Sequence, residues 1–146
     1  MKKHLWDVAE ATQKIQAWYD DLKVKFNDPA GRNKIKDKYN DDSLVYDRIS
    51  QKPHTGKRAA LNHWKTAFNK FDKIIKVEIT IKALVPPGPG VPSRNPMRTG
   101  DQKADWDGII VFVNKKGGKS TYTFSGNGQH IDPCYFGNPD YEDYPW

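Results

Sequence analysis

Cysteine is almost absent from this sequence, since Cys134 is the only one among 146 residues. A single cysteine excludes an internal disulfide and a four-cysteine zinc site. Long apolar runs are also missing: the longest is Ile109–Val113, whereas a transmembrane helix needs about 20 residues. The opening residues 1–15 contain lysines but lack the apolar core of a signal peptide. These absences predict no membrane span and a cytoplasmic site of action, with export as part of a larger protein as the alternative.

Basic residues are missing from one end of an otherwise basic chain. The whole sequence has 24 Lys and Arg against 18 Asp and Glu, a net charge of +6. Residues 132–146 contain four acidic residues and no basic one, which leaves 24 basic against 14 acidic residues, or +10, on residues 1–131. A body this basic predicts a polyanionic partner such as RNA or a ribosome.

The hydrophobic period changes along the chain. Apolar residues recur at three- and four-residue steps over 5–26 and again after Thr55, which predicts two amphipathic helices. Residues 41–50 predict at most another short helix. From Ile75 the period becomes two, and two later β-rich segments flank the turn sequence KKGG, which predicts a hairpin. Helices followed by antiparallel strands predict an α+β fold with the helices on one face of a small antiparallel sheet.

The sequence predicts a single domain over 1–146. Its expected parts are a helical part (1–72), an antiparallel sheet (73–131) with a long Pro-rich loop at 86–104, and an acidic, aromatic C-terminal strap (132–146). Disordered tails are depleted in aromatic residues, and this tail is rich in them. We therefore expect the strap to fold back along the basic body.

Residues suited to proton transfer and phosphate binding cluster in the second half of the chain. Metal-free RNA cleavage needs a general base, a general acid and cations for the phosphate. His130 follows a Gly-Asn-Gly segment interpreted as a turn, and with Asp107 or Asp105 it could supply the proton transfers. A plain surface histidine is the alternative. The predicted substrate-binding residues are Arg94, Arg98, Lys119 and Tyr122.

Neither a metal nor another cofactor is predicted. His130, Asp132 and Cys134 alternate and are all zinc-binding types, but Pro133 interrupts the strand and no second ligand cluster accompanies them. Phosphate-binding glycine loops and nucleophile-elbow motifs are absent from the sequence.

The segments ADWDG and STYTFSGNGQHIDP resemble parts of the C-terminal ribonuclease domains of ribosome-cleaving bacteriocins and contact-dependent toxins. Those domains carry a Trp-Asp pair on one strand and, after a hairpin, Gly-Gln-His followed by Asp-Pro. The matching residues here are Trp106, Asp107, Gly128, Gln129, His130, Asp132 and Pro133. The family's histidine and glutamate after the Trp-Asp pair have no counterpart in GIIVFVNKK, so that acid–base pair is not carried over. The resemblance implies a metal-independent ribonuclease, a bacterial toxin or effector domain, with an acidic immunity protein as partner.

Two other functions remain compatible with the sequence. Aromatic residues beside many lysines suit base stacking and phosphate contact, which favours a non-enzymatic nucleic-acid-binding module. A phage or secretion-system interaction protein is the other alternative, docking through the Pro-rich loop at 86–104 or the tail at 135–146.

Overall fold

The protein is described from a computed structural model, which describes residues 5–85, 102–132 and 135–146, without the side chains of 130–132 and 135. Helices pack against one six-stranded sheet, which confirms the predicted α+β class. The elements in chain order are α1 (Val8–Asn27), a 3₁₀ helix (Arg32–Lys38), β1 (Leu44–Asp47), β2 (Lys52–Thr55), α2 (Lys57–Lys70), β3 (Phe71–Val85), β4 (Lys103–Asn114), β5 (Lys119–Asp132) and β6 (Tyr135–Tyr144). No helix in these ranges is both long and apolar enough to cross a bilayer.

Helix α1 is fixed at its start by a cap and along its length by the sheet. The Asp7 carboxylate accepts a hydrogen bond from the Glu10 backbone N–H at 2.8 Å, which satisfies one of the free donors of the first turn. Further along, the Gln16 side-chain amide donates to Val77 O and accepts from Ile79 N. These bonds to the β3 backbone set the face that α1 buries, which carries Ala11, Ile15, Trp18, Tyr19, Leu22 and Phe26.

The sheet is larger and more mixed than the sequence predicted. Its strand order is β2-β1-β6-β5-β4-β3, and every pair is antiparallel except β1 with β6. The expectation of at most a short helix over 41–50 is wrong, because Leu44–Asp47 alternate in burial and pair with β2 and β6. The range 1–72, predicted to be helical, therefore contains two strands. Residues 103 and 104 of the predicted loop belong to β4, and residues 86–101 lie outside the described residues.

The C-terminal segment supplies an interior strand. Residues Tyr135–Tyr144, for which the sequence predicted a strap along the body, form β6 between β1 and β5. The final residue, Trp146, is 2% exposed and its ring lies 5.0 Å from that of Phe112 and 5.6 Å from that of Trp64. Burying such a ring contributes about 2–3 kcal/mol, so the end of the chain belongs to the core.

The Gly-Asn-Gly segment is not a turn. Gly126 and Gly128 lie within β5, where Gly126 pairs with Trp106 of β4. A Cβ atom on Gly126 would lie 2.5 Å from the Trp106 indole nitrogen, and one on Gly128 would lie 2.8 Å from the Phe136 ring. Both glycines are therefore explained by aromatic rings that cross the strand on its helix-facing side, which we call the inner face.

Candidate functional site

The most unusual polar residue of the inner face is Glu142, on the interior strand β6. Its side chain is fully buried among aromatic residues. Three phenol groups donate hydrogen bonds to its carboxylate: Tyr19 to Oε2 at 2.6 Å, Tyr144 to Oε2 at 2.5 Å, and Tyr39 to Oε1. Tyr144 reaches it because residues two apart on a strand share a face. A carboxylate can accept this many donors, so the group is well satisfied despite its burial.

Two indole groups fix the direction of these hydrogen bonds. Trp106 Nε1 donates to Tyr19 Oη at 3.0 Å, and Trp64 Nε1 donates to Tyr39 Oη at 2.9 Å. An indole N–H can only donate, so each hydroxyl accepts from the indole and turns its own proton towards Glu142. The network therefore has an acceptor at its centre, as an ionised carboxylate requires.

Burial and hydrogen bonding act on this carboxyl in opposite directions. Burial is the larger effect and raises the pKa of Glu142 above its ordinary value, although the bonds from Tyr144, Tyr19 and Tyr39 and the charge of Lys38 act to lower it. Burial also raises the pKa of each of the three phenols, and the nearby Glu142 charge adds to that rise. The tyrosines therefore remain protonated donors across the neutral range.

A lysine completes the site. Lys38 ends the 3₁₀ helix and is only 8% exposed. Its Nζ lies 4.4 Å from the centre of the Trp18 ring, on the ring's face, and 2.7 Å from Asp21 Oδ2. Burial lowers the pKa of Lys38, against the opposing effect of Asp21, and its charge interacts with Glu142. We call Glu142, Trp18, Tyr19, Tyr39 and Tyr144 the Glu142 cage, in which an ammonium group already faces an indole ring.

Metal-ligand side chains meet elsewhere, between α2 and the β1–β2 edge of the sheet. Asp47, His54 and His63 each offer a ligand atom, and these atoms lie within 4.8 Å of one another. Over the residues that the structure describes, this is the group that could hold a metal ion. It involves none of the residues weighed as metal ligands from the sequence, and the expectation of no metal stays a prediction.

The predicted catalytic acids lie on the outer face of the sheet, away from the helices. Asp105 and Asp107 are two residues apart on β4 and share that face. Asp107 accepts a hydrogen bond from Ser125 Oγ at 3.0 Å and lies 3.6 Å from Lys82 Nζ. It lines an open cleft of about 470 Å³ together with Glu78, Thr80, Gly108, Ile109, Thr123, Phe124 and Ser125.

Of the other predicted site residues, the two whose side chains are described, Lys119 and Tyr122, do not join those acids. Lys119 is exposed at the start of β5. It lies six residues before Ser125, the partner of Asp107, and this separation is about 20 Å along the strand. Tyr122 faces inward, with its ring 5.5 Å from that of Trp146. His130 pairs through its backbone with Phe136 and lies three residues along β5 from Asn127, the partner of Asp105. Its side chain is not described, so its predicted role with the acids stays a prediction. Arg94 and Arg98 lie outside the described residues.

The sequence did not point to Glu142, because the acidic residues of the tail at 132–146 were considered together as a net charge and not residue by residue. The sequence YEDYPW carried a usable signal: read as a strand, it places Glu142, Tyr144 and Trp146 on one face. A carboxylate flanked by aromatic residues on a buried face would then have stood out. The partners Tyr19 and Tyr39 are more than 100 residues away, and no local pattern pairs them with it.

Comparison with known proteins identifies the fold. The sequence matches no protein-family model and no curated protein. Solved structures do match. Aln2 from a Streptomyces species has a TM-score of 0.58 and 8% identity, and the match covers 97% of this chain and 94% of Aln2. An NTF2-like protein of unknown function from an Exiguobacterium species has a TM-score of 0.54 and 12% identity, and the match covers 90% of this chain and 96% of that protein. The fold is NTF2-like. A third match is a hypothetical protein with a ketosteroid isomerase-like fold from Catenulispora acidiphila, in complex with trimethylamine (TM-score 0.50, 10% identity, 88% of this chain and 84% of that one). At such identities these likenesses show the fold alone.

The NTF2-like fold overturns the resemblance to ribonuclease toxin domains. The Trp-Asp pair that carried it is explained by packing, since Trp106 is fully buried and donates to Tyr19. The glycines near His130 make room for rings. The predicted toxin and ribonuclease function is therefore wrong, and neither the nucleic-acid-binding module nor the phage or secretion-system protein matches this fold. Nothing supports the predicted partners, which were RNA, a ribosome and an immunity protein.

Proposed function

We propose that the protein binds a small organic ammonium ion in the Glu142 cage, at the position that the Lys38 ammonium occupies. The single observation that carries this proposal is an ammonium group that lies on an indole face and whose charge acts on the fully buried Glu142 carboxyl. Aromatic faces attract cations, and cages of aromatic rings recognise alkylated ammonium ions. Lys38 thus marks where a cation is stabilised.

The cost of burying Glu142 supports a functional reason for it. Moving a carboxylate out of water costs several kcal/mol, which hydrogen bonds and a nearby cation must offset. Apolar residues at such a position would avoid that cost, and buried groups with perturbed pKa values concentrate at functional sites. A ligand that carries its own positive charge supplies the attraction that the carboxylate otherwise obtains from Lys38.

The outer wall of the cage suits exchange of one cation for another. Lys38 and Trp18 are 8% and 7% exposed, so both side chains reach the surface, whereas Glu142 is fully buried. The Asp21 carboxylate, which is bonded to both Lys38 and Lys25, is half exposed. We expect the Lys38 side chain to move outward and to keep Asp21 as its acidic partner when a ligand takes its place. The Catenulispora protein adds an example of this fold holding a small amine.

The test compares two ligands of the same shape. Choline has a positively charged quaternary nitrogen, and 3,3-dimethylbutan-1-ol has an uncharged quaternary carbon at the same position. Isothermal titration calorimetry at pH 7 should show choline binding at least tenfold more tightly, because the neutral alcohol lacks the attraction to Glu142 and to the Trp18 face. Equal binding, or no binding of either compound at millimolar concentration, would contradict the proposal.

Matched variants connect binding to the cage. Glu142→Gln keeps the side-chain shape and removes the charge, so choline affinity should fall at least tenfold. Glu78→Gln is the control, since Glu78 is exposed on the outer face and should leave affinity unchanged. Lys38→Ala removes the competing ammonium and should tighten binding. Retention of wild-type affinity by Glu142→Gln would rule out the carboxylate as the recognition group.

A further inference from the structure

We propose that Asp47, His54 and His63 form a binding site for a divalent transition metal of the Zn²⁺ class. This site shares no residue with the Glu142 cage, and the inference does not depend on the function proposed above. Two imidazoles and one carboxylate are a donor set that zinc uses in proteins, with water in the fourth position.

Three neighbouring elements bring the ligands together. Asp47 ends β1, His54 lies on the edge strand β2, and His63 lies on the side of α2 that faces them. The His54 and His63 ring centres are 5.8 Å apart, and His63 Nδ1 lies 3.9 Å from Asp47 Oδ2. Residues 47, 54 and 63 are separated in sequence by steps that match no zinc motif, so only the fold reveals the group.

His63 provides the independent sign that a ligand belongs here. Its side chain is completely buried, yet neither ring nitrogen has a hydrogen-bond partner within the described part of the chain. Buried polar groups in proteins are almost always satisfied, and an unsatisfied one calls for an ion, a water or a ligand. The ring is held against Tyr144, stacked at 5.3 Å with an interplanar angle of 16°. Its orientation is therefore fixed, with Nδ1 directed at the Asp47 carboxylate.

Asp47 is positioned to use one oxygen for a metal. Its Oδ1 accepts hydrogen bonds from the backbone N–H groups of Ile49 and Ser50, at 2.8 and 3.2 Å. The other oxygen, Oδ2, is the one that faces His63. Metal-ligating carboxylates are commonly oriented by such supporting hydrogen bonds.

Small side-chain movements complete the coordination geometry. Zinc–ligand bonds of about 2.0–2.1 Å place tetrahedral donors about 3.3 Å apart. In this structure the three candidate ligand atoms lie within 4.8 Å of one another. His54 is half-buried on an edge strand, so its side chain can turn towards the other two ligands and leave room for a water. Burial lowers the pKa of His63 to about 4, which keeps its imidazole neutral and able to bind a metal near pH 7.

Metal titration of the untagged full chain tests the site. After removal of metals with EDTA and exchange into metal-free buffer, the protein should bind one Zn²⁺ per chain by calorimetry at pH 7. Co²⁺ should give the visible absorption bands of a low-coordinate nitrogen and oxygen site. Binding of Zn²⁺ should also raise the melting temperature by several degrees, because the metal binds the folded chain preferentially.

Variants at two of the three ligands decide the assignment and leave the completely buried His63 in place. His54→Ala and Asp47→Asn should each weaken Zn²⁺ binding at least tenfold, while Thr55→Ala, an exposed neighbour on the same strand, should leave it unchanged. Circular dichroism confirms that each variant is folded. Absence of stoichiometric binding, or binding that survives both His54→Ala and Asp47→Asn, overturns the proposal.

Discussion

Tyr39→Phe and Tyr144→Phe are a matched pair of substitutions, since each removes one phenol hydroxyl that donates a hydrogen bond to Glu142. Tyr39→Phe also leaves Trp64 Nε1–H without its acceptor, a loss that Tyr144→Phe does not cause. The two substitutions remove the same atom from the same kind of buried ring, so the difference in their costs isolates the indole bond.

The magnitudes follow from the bonds lost. A hydrogen bond to a charged group contributes about 1.5–3 kcal/mol, which is the expected cost of Tyr144→Phe. An unsatisfied buried donor adds about 1–3 kcal/mol, so Tyr39→Phe should cost about 2.5–6 kcal/mol. Tyr19→Phe should resemble Tyr39→Phe, because Trp106 Nε1 donates to Tyr19 in the same way.

Urea unfolding at pH 7, followed by tryptophan fluorescence and circular dichroism, measures these costs. The m-value should stay constant, so that a shift in midpoint reports a change in free energy of unfolding. Equal costs for Tyr39→Phe and Tyr144→Phe would refute the inference that the indoles orient the phenol protons. A cost below about 0.5 kcal/mol for both would refute a stabilised carboxylate, since a charged acceptor cannot lose a buried donor so cheaply.

Two further substitutions test other parts of the structure. His63 has a pKa lowered from 6.5 to about 4, so it contributes stability that is present above pH 6.5 and is lost as the pH falls through about 4. In metal-free buffer this contribution to the free energy of unfolding is about 3 kcal/mol. Urea midpoints measured from pH 7 to 4 should therefore depend less on pH in His63→Gln than in the wild type. An equal pH dependence in the two proteins would contradict this account. Gly126→Ala should cost about 1–3 kcal/mol because its Cβ meets the Trp106 ring, whereas Gly118→Ala, whose Cβ has its nearest neighbour at 3.5 Å, should stay within about 0.5 kcal/mol. Similar thermal shifts for the two alanine variants would show that Trp106 can move.

The parts of the fold that the sequence predicted are those with a local signal. Helix α1 and the β4–β5 hairpin follow from the apolar period and from the KKGG turn, whose residue Gly117 has a φ of 90°. Strand β1 has only four residues, and its partners β2 and β6 are fixed by tertiary pairing. The local period cannot reveal a parallel pairing between residues almost 100 positions apart.

The candidate sites were harder to predict because their residues come together only through the fold. The Glu142 cage joins α1, the end of the 3₁₀ helix and β6. The Gly-Asn-Gly segment was predicted to be a turn before His130, yet its glycines accommodate rings that lie across the strand. Sequence reasoning treated Gly as a sign of a turn, whereas close packing of Trp106 and Phe136 required it here.

The state of the Glu142 carboxyl tests the central claim most directly. Carbon-13 NMR of glutamate-labelled protein, with the Glu142→Gln variant identifying the resonance, reports both ionisation and ligand contact. We expect the Glu142 carboxyl carbon to show the ionised chemical shift at pH 7 and to move on saturation with choline, while 3,3-dimethylbutan-1-ol leaves it in place. A protonated carboxyl at pH 7, or a resonance that choline does not move, would contradict a buried carboxylate that recognises an ammonium ion.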